Sequence, residues 1–88
     1  MIHRIVNIIA NTNLQENLNL DKIAGLLENT EYEPEIYWAA IYRLKNPKCS
    51  ILLNASGKIT FSGATSIQDI ENAREILLRK LKNLGYSP

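Results

Sequence analysis

From Lys48 to Ser62 the chain alternates with a period of two, and this limits the possible fold more than any other feature. Cys49, Ile51, Leu53 and Ala55, then Ile59 and Phe61, point one way; Lys48, Ser50, Leu52 and Asn54, then Lys58, Thr60 and Ser62, point the other. Successive side chains leave opposite faces of an extended strand, so the pattern describes strands with one face on a core and one face open. Ser56-Gly57 divides the run as a turn, giving strands over 49–55 and 58–62. Residues 37–44 read as a further aromatic and aliphatic strand. It connects through Lys45-Asn46-Pro47-Lys48, where proline supplies a φ already set for a turn. Strands joined this closely pair antiparallel, and an antiparallel sheet tolerates one uncovered face.

The flanking segments supply the cover. Residues 5–12, rich in Ile and Val, read as another strand, with Asn7, Ile9 and Asn11 on one side and Ile8 and Ala10 on the other. Asn19 suits an N-cap and Asp21 the first turn of a helix. Leu20, Ile23, Ala24 and Leu27 recur at helical spacing, which carries that helix to about Asn29. Glu31-Tyr32-Glu33-Pro34 allows only a short edge strand or an extended turn, because Pro34 has no N–H to give a ladder. Gly63-Ala64-Thr65 then leads to a long helix capped by Ser66, with Asp69 placed for a capping-box-like contact. Its buried stripe is Ile70, Ala73, Leu77, Leu81 and Leu84, and Gly85 is a natural stop. The order strand, helix, three or four strands, helix predicts one two-layer α+β domain over residues 1–88, with both helices on the apolar sheet face.

Chemistry is excluded more firmly than it is suggested. Cys49 is the only cysteine, so no intrachain disulfide or multi-cysteine metal site can form, and the residue reads as a buried, inert thiol. His3 is the only histidine, which rules out histidine triads and His-rich metal sites. Gly57 and Gly63 stand alone beside strand ends and form no phosphate loop, and Glu31, Glu33 and Glu35 read as a solvated edge. There is no signal-peptide apolar block and no run near the ~18 apolar residues of a membrane span. The expectation is a cytoplasmic binding domain that is not an enzyme, with no cofactor, no metal and no membrane contact.

The net charge of +1 conceals a local separation. Arg43, Lys45, Lys48 and Lys58 occupy a stretch without a single acid, and Glu28, Glu31, Glu33 and Glu35 crowd just before it. The open face expected from the alternation carries Asn7, Ile9, Tyr37, Ala39, Ile41, Arg43, Lys48, Ser50, Leu52, Asn54, Ser56, Lys58, Thr60 and Ser62. Aliphatic side chains on an uncovered face call for a partner. Small polar groups among them, rimmed by Arg and Lys, suit the shallow minor groove of DNA and equally suit another protein.

At these residues the chain resembles one repeat of the TATA-binding protein family. The resemblance is carried by Ile5-Val-Asn-Ile-Ile-Ala, Leu18-Asn-Leu-Asp-Lys-Ile-Ala, Asn29-Thr-Glu-Tyr-Glu-Pro-Glu, Ile41-Tyr-Arg-Leu, Pro47-Lys and Ser56-Gly-Lys with Gly63-Ala, in register from about Ile5 to Gly85. Ser-Gly-Lys alone is weak; so many segments in order are strong. The resemblance implies a curved antiparallel sheet with two helices on its convex side, half of a saddle that sits on a kinked minor groove. Family members usually carry two such repeats, so a single repeat is expected to pair with itself through the first strand as a homodimer.

By resemblance, Asn7 matches a base-contacting asparagine and Ile9 an apolar groove contact. Arg43, Lys48 and Lys58 match phosphate-contacting positions, and Ser50, Leu52, Ser56, Thr60 and Ser62 match groove-facing ones. Tyr37 and Asn54 fall on two phenylalanines that wedge between base steps. An amide at Asn54 cannot replace a lost base stack, so weak bending is expected. Ile36 stands where some repeats carry arginine. Two other readings use the same fold. One is a protein-interaction module without DNA bending; the other is a nucleic-acid substrate-binding domain like those beside ribonuclease H or DNA glycosylase domains.

Overall fold

A computed structural model describes residues 8–87. Among these residues, five strands and two helices follow one another as β1 (Ile8–Asn13), α1 (Leu20–Leu26), β2 (Thr30–Glu31), β3 (Ala40–Lys45), β4 (Lys48–Leu53), β5 (Lys58–Ala64) and α2 (Ile67–Asn83). The strands form one antiparallel sheet in the order β1-β5-β4-β3-β2. The sheet is curved, and the fold is the expected two-layer α+β domain.

One face of the sheet and one stripe of each helix make the core. Leu18, Leu20, Ile23 and Leu27 from α1 and its flanks meet Ile70, Ala73, Leu77 and Leu81 of α2 over Tyr42, Cys49, Ile51, Leu53, Ile59 and Phe61. These are the inward side chains of the alternation, and burying each large one contributes about 1.5–3 kcal/mol. Ala24, expected in the α1 stripe, is only half-buried.

The helix ends are set by local hydrogen bonds. Asn19 Oδ1 accepts from the Lys22 N–H at 3.1 Å, and Ser66 Oγ accepts from the Asp69 N–H at 3.1 Å. Asp69 reaches the Thr65 hydroxyl, at 3.4 Å, so the expected capping box is replaced by a contact one residue earlier. At the far end of α2 the Tyr86 N–H donates to Leu81 O and the Gly85 N–H to Lys82 O, a Schellman closure. Lys22 Nζ donates to Leu84 O at 2.9 Å and lies 5.4 Å from the Tyr86 ring centroid. A cation from α1 therefore caps the negative end of α2.

Three strand limits differ from the sequence reading. β3 starts at Ala40 rather than at residue 37, because the Glu33 carbonyl accepts from both the Ile36 and Tyr37 N–H groups and holds them in a turn. β4 stops at Leu53: the Asn54 N–H donates to Lys58 O and the Gly57 N–H to Asn54 O, closing the turn two residues early. β5 continues to Ala64 through a bulge. Ile8 and Ala10 on β1 oppose Ala64 and Phe61, so β5 carries one residue more than its partner. Gly63, at φ +85°, takes the left-handed conformation there. The extra residue returns Ala64 to the core face that Phe61 occupies, and both are buried.

Candidate nucleic-acid interface

The ladder registers lay out the open face row by row. Ile41 opposes Leu52, Leu52 opposes Thr60 and Thr60 opposes Asn11, one continuous row across four strands. The next row runs Arg43, Ser50, Ser62. On the other side, Lys58 opposes Asn13 and receives the Asn54 N–H on its carbonyl. The centre of the face is thus hydroxyls and aliphatics, while basic side chains stand at the two ends of the strands. Ser50, Leu52, Asn54, Thr60 and Ser62 are half-buried, as neighbours on a shared surface should be.

Ile9, 63% exposed, stands free on β1. Asn7 lies outside the described residues. Ser56 is exposed in the β4–β5 turn, past the end of the strand face. Tyr37 sits ahead of β3 and is 48% exposed. Ala39 was expected on the outward face, but it is 3% exposed beneath the turn at residues 33–37.

Two side chains differ in state from their expected roles. Arg43 Nη1 pairs with Glu31 Oε1 at 3.0 Å, so this cation is partly neutralised in place. Asn54 Nδ2 donates to Lys58 O at 3.3 Å, tying the amide to its own turn. Lys45, absent from the expected contacts, opposes Lys48 directly. Directly opposed residues share a face, so Arg43, Lys45 and Lys48 concentrate charge at one hairpin end. Only the register reveals this, since spacing along the chain does not show which lysines meet. Trp38, 82% exposed, was missed as a surface feature because residues 37–44 read as strand, and Ile36 beside it is 78% exposed.

Cys49 is 2% exposed, and burial, with Asp69 adding to it, pushes the thiol above its ordinary value, which keeps it protonated. Among the described residues, no group of His, Cys, Asp and Glu could hold a metal ion, and no helix is long and apolar enough to cross a membrane.

The architecture defines a class: a one-sided antiparallel sheet, backed by two helices, that offers its free face for binding. A family model described as transcription factor TFIID, or TATA-binding protein, matches residues 2–84. The chain belongs to this family, one of DNA-binding transcription factors and not of enzymes, and it represents a single repeat. The TATA-box-binding protein of Picrophilus torridus is 46% identical over 78 residues, which are 89% of this chain and 42% of that one. That of Pyrococcus horikoshii is 43% identical over 82 residues, 93% of this chain and 43% of that one. The solved structure of Methanococcus jannaschii TBP matches with a TM-score of 0.84 at 39% identity, covering 88% of this chain and 44% of that one. The chain therefore spans less than half the length of these relatives.

Proposed function

We propose that the open sheet face binds duplex DNA through the minor groove, and that a second copy of the chain, docked along β1, completes the saddle. The observation that carries this reading is the layout of the face: hydroxyls and aliphatics in register at its centre, with Arg43, Lys45 and Lys48 at one end and Lys58 at the other. Apolar and small polar groups fit a groove floor, and flanking cations fit its phosphate walls. The relatives are named for binding the TATA box, which supports the choice of DNA.

Pairing through β1 is supported by topology. Among the described residues, β1 is an edge strand that pairs with β5 alone. Free edges invite a second strand, and a twofold axis would give the same contact from both copies. Wedging is reduced to Tyr37, because the Asn54 amide would lose its bond to Lys58 O and bury polar atoms against base faces. The bend is accordingly shallower than a saddle with all its apolar wedges would produce.

Duplex binding measured over a range of salt, with light scattering alongside, tests both parts. Arg43, Lys48 and Lys58 from two copies give a slope of log K against log salt of about −5. Replacing Lys48 and Lys58 together by Ala should flatten it, and an unchanged slope would place the DNA elsewhere. The expected mass is twice 10.0 kDa. A monomer mass at ~100 μM, well above the micromolar range of moderate dimers, would remove the homodimer. A second reading, a protein-interaction module, draws on the exposed Ile36, Tyr37 and Trp38 beside Glu33 and Glu35. Absence of salt-dependent duplex binding would favour it.

A further inference from the structure

Glu16 is half-buried in the loop between β1 and α1, with the exposed Gln15 and Asn17 on either side. Resting on the DNA reading above, we infer that Glu16 is a positioning residue of the interface. Gripped by the segment that follows α2, it holds the β4–β5 turn in place, and with the turn the proposed contacts Asn54, Ser56 and Lys58.

The restraint starts at the end of α2. The Ser87 N–H donates to Glu16 Oε1 at 2.7 Å, a short bond to a charged acceptor. The segment carrying Ser87 is itself fixed, because the Tyr86 N–H closes on Leu81 O and Lys22 Nζ bonds Leu84 O beside the Tyr86 ring. The Tyr86 hydroxyl adds a second tie: it accepts from the Asn19 N–H at 3.0 Å, where the same loop enters α1. From Glu16 the restraint passes to the turn through the backbone. The Glu16 and Leu14 carbonyls lie directly over Gly57 and leave no room for a side chain, so Gly57 is buried although it occupies a turn. The Leu14 and Leu18 N–H groups bond the carbonyls of Gly57 and Ala55. Asn54 closes on Lys58 O with both its backbone N–H and its amide, which ties Lys58 to the same turn.

A turn left free to move must be ordered when DNA binds, and that cost lowers the affinity. The charge of Glu16 acts in the opposite direction, since a carboxylate near a DNA-binding face repels phosphate. The two effects differ in sign. Substitutions that separate the charge from the hydrogen bond therefore tell them apart, and a loss of stability alone does not change the affinity of a protein that stays folded.

Anisotropy titrations of the intact chain against a labelled A·T-rich duplex at low salt make the comparison. Glu16→Gln removes the charge and keeps an oxygen for the Ser87 N–H; Glu16→Ala removes both. Glu16→Gln should bind no more weakly than the wild type, and Glu16→Ala about two- to tenfold more weakly, the worth of one net hydrogen bond. Tyr86→Phe, which changes no charge at neutral pH, should also weaken binding. The loss from Glu16→Ala should shrink when Lys58 is already Ala, because the two residues then act through one turn. Amide exchange without DNA reads the restraint itself, and the Leu14 and Gly57 amides should exchange faster in Glu16→Ala. Circular dichroism confirms that each variant is folded, and Tyr86→Phe carries the test if Glu16→Ala is not. Undiminished binding by folded Glu16→Ala, an equal loss in Glu16→Gln, or wild-type exchange at Leu14 and Gly57 overturns the positioning role and leaves the DNA reading standing. No binding of the duplex by the wild type at low salt overturns both.

Discussion

Glu31 and Asn54 are the two residues whose present contacts oppose the proposed function. The Glu31 carboxylate lies on the same side as Arg43 and holds it at 3.0 Å, with both side chains more than half exposed. An exposed pair of this kind stabilises the fold by only ~0–1 kcal/mol, so Glu31→Gln should leave the melting temperature nearly unchanged. It should nevertheless tighten DNA binding by roughly two- to fivefold at low salt, since Arg43 then reaches phosphate without first giving up its partner carboxylate. Equal affinities for the two proteins in a filter-binding series would show that Arg43 does not face phosphate. Asn54→Phe tests the wedge. An aromatic ring there can enter a base step, where the amide stays on its own turn at Lys58 O. Energy transfer between the ends of a short labelled duplex should report a larger bend, together with tighter binding. No gain in either would mean that the sheet does not approach base steps at this position.

At the scale of elements, the loop after β1 and the β4–β5 turn are fastened together. The Leu14 N–H donates to Gly57 O and the Leu18 N–H to Ala55 O, both at 2.8 Å. Gly57 sits at φ +96°, and a Cβ there would fall 2.5 Å from Glu16 O and 2.6 Å from Leu14 O. Gly57→Ala should therefore cost well over the ~1 kcal/mol of the backbone conformation alone and lower the melting temperature by at least ~4 °C. A melting temperature within a degree of wild type would show that the loop yields freely. The sequence signals for the elements themselves were clear. Ser66, the Ile70 to Leu81 stripe and Gly85 mark α2, and the alternation over residues 48–62 assigns both faces of β4 and β5, because each signal is local and periodic. What escaped was made by contacts between distant segments or by a single backbone turn. The Glu33 carbonyl took the donors that residues 36 and 37 would have offered a ladder, and the Gly63 bulge added a residue that no alternation pattern announces. The face of the site was therefore legible in Ser50, Leu52, Thr60 and Ser62. The pairings of Arg43 with Glu31, Lys45 with Lys48 and Asn11 with Thr60 depend on register and were not.

At the scale of the whole molecule, two buried ionisable side chains among the described residues, Tyr42 and Cys49, set its tolerance of alkali. Burial raises the Tyr42 phenol, with Glu28 adding to it, and burial raises the Cys49 thiol. A folded-state value above the unfolded one favours the protonated form. Its contribution to stability is complete below the unfolded values, 10.0 for the phenol and 9.0 for the thiol, and is lost as pH rises through the folded ones. Urea midpoints should be unaffected by these groups from neutrality to roughly pH 9 and fall above it. Tyr42→Phe should remove the part of the fall that belongs to the phenol, and a midpoint that rises through this range would contradict the assignment. The sheet order has a different consequence, which concerns time. β1 is made early, but its partner β5 lies last among the strands, and Thr60 is 49 residues from Asn11. At about 5–20 residues per second, several seconds of synthesis separate the two strands. For that interval Ile8 and Ala10 have neither their ladder nor the core they pack against, part of which, α2, is later still. A nascent chain is therefore open to capture by chaperones, or by the β1 of a neighbouring polysome product, before its own β5 exists.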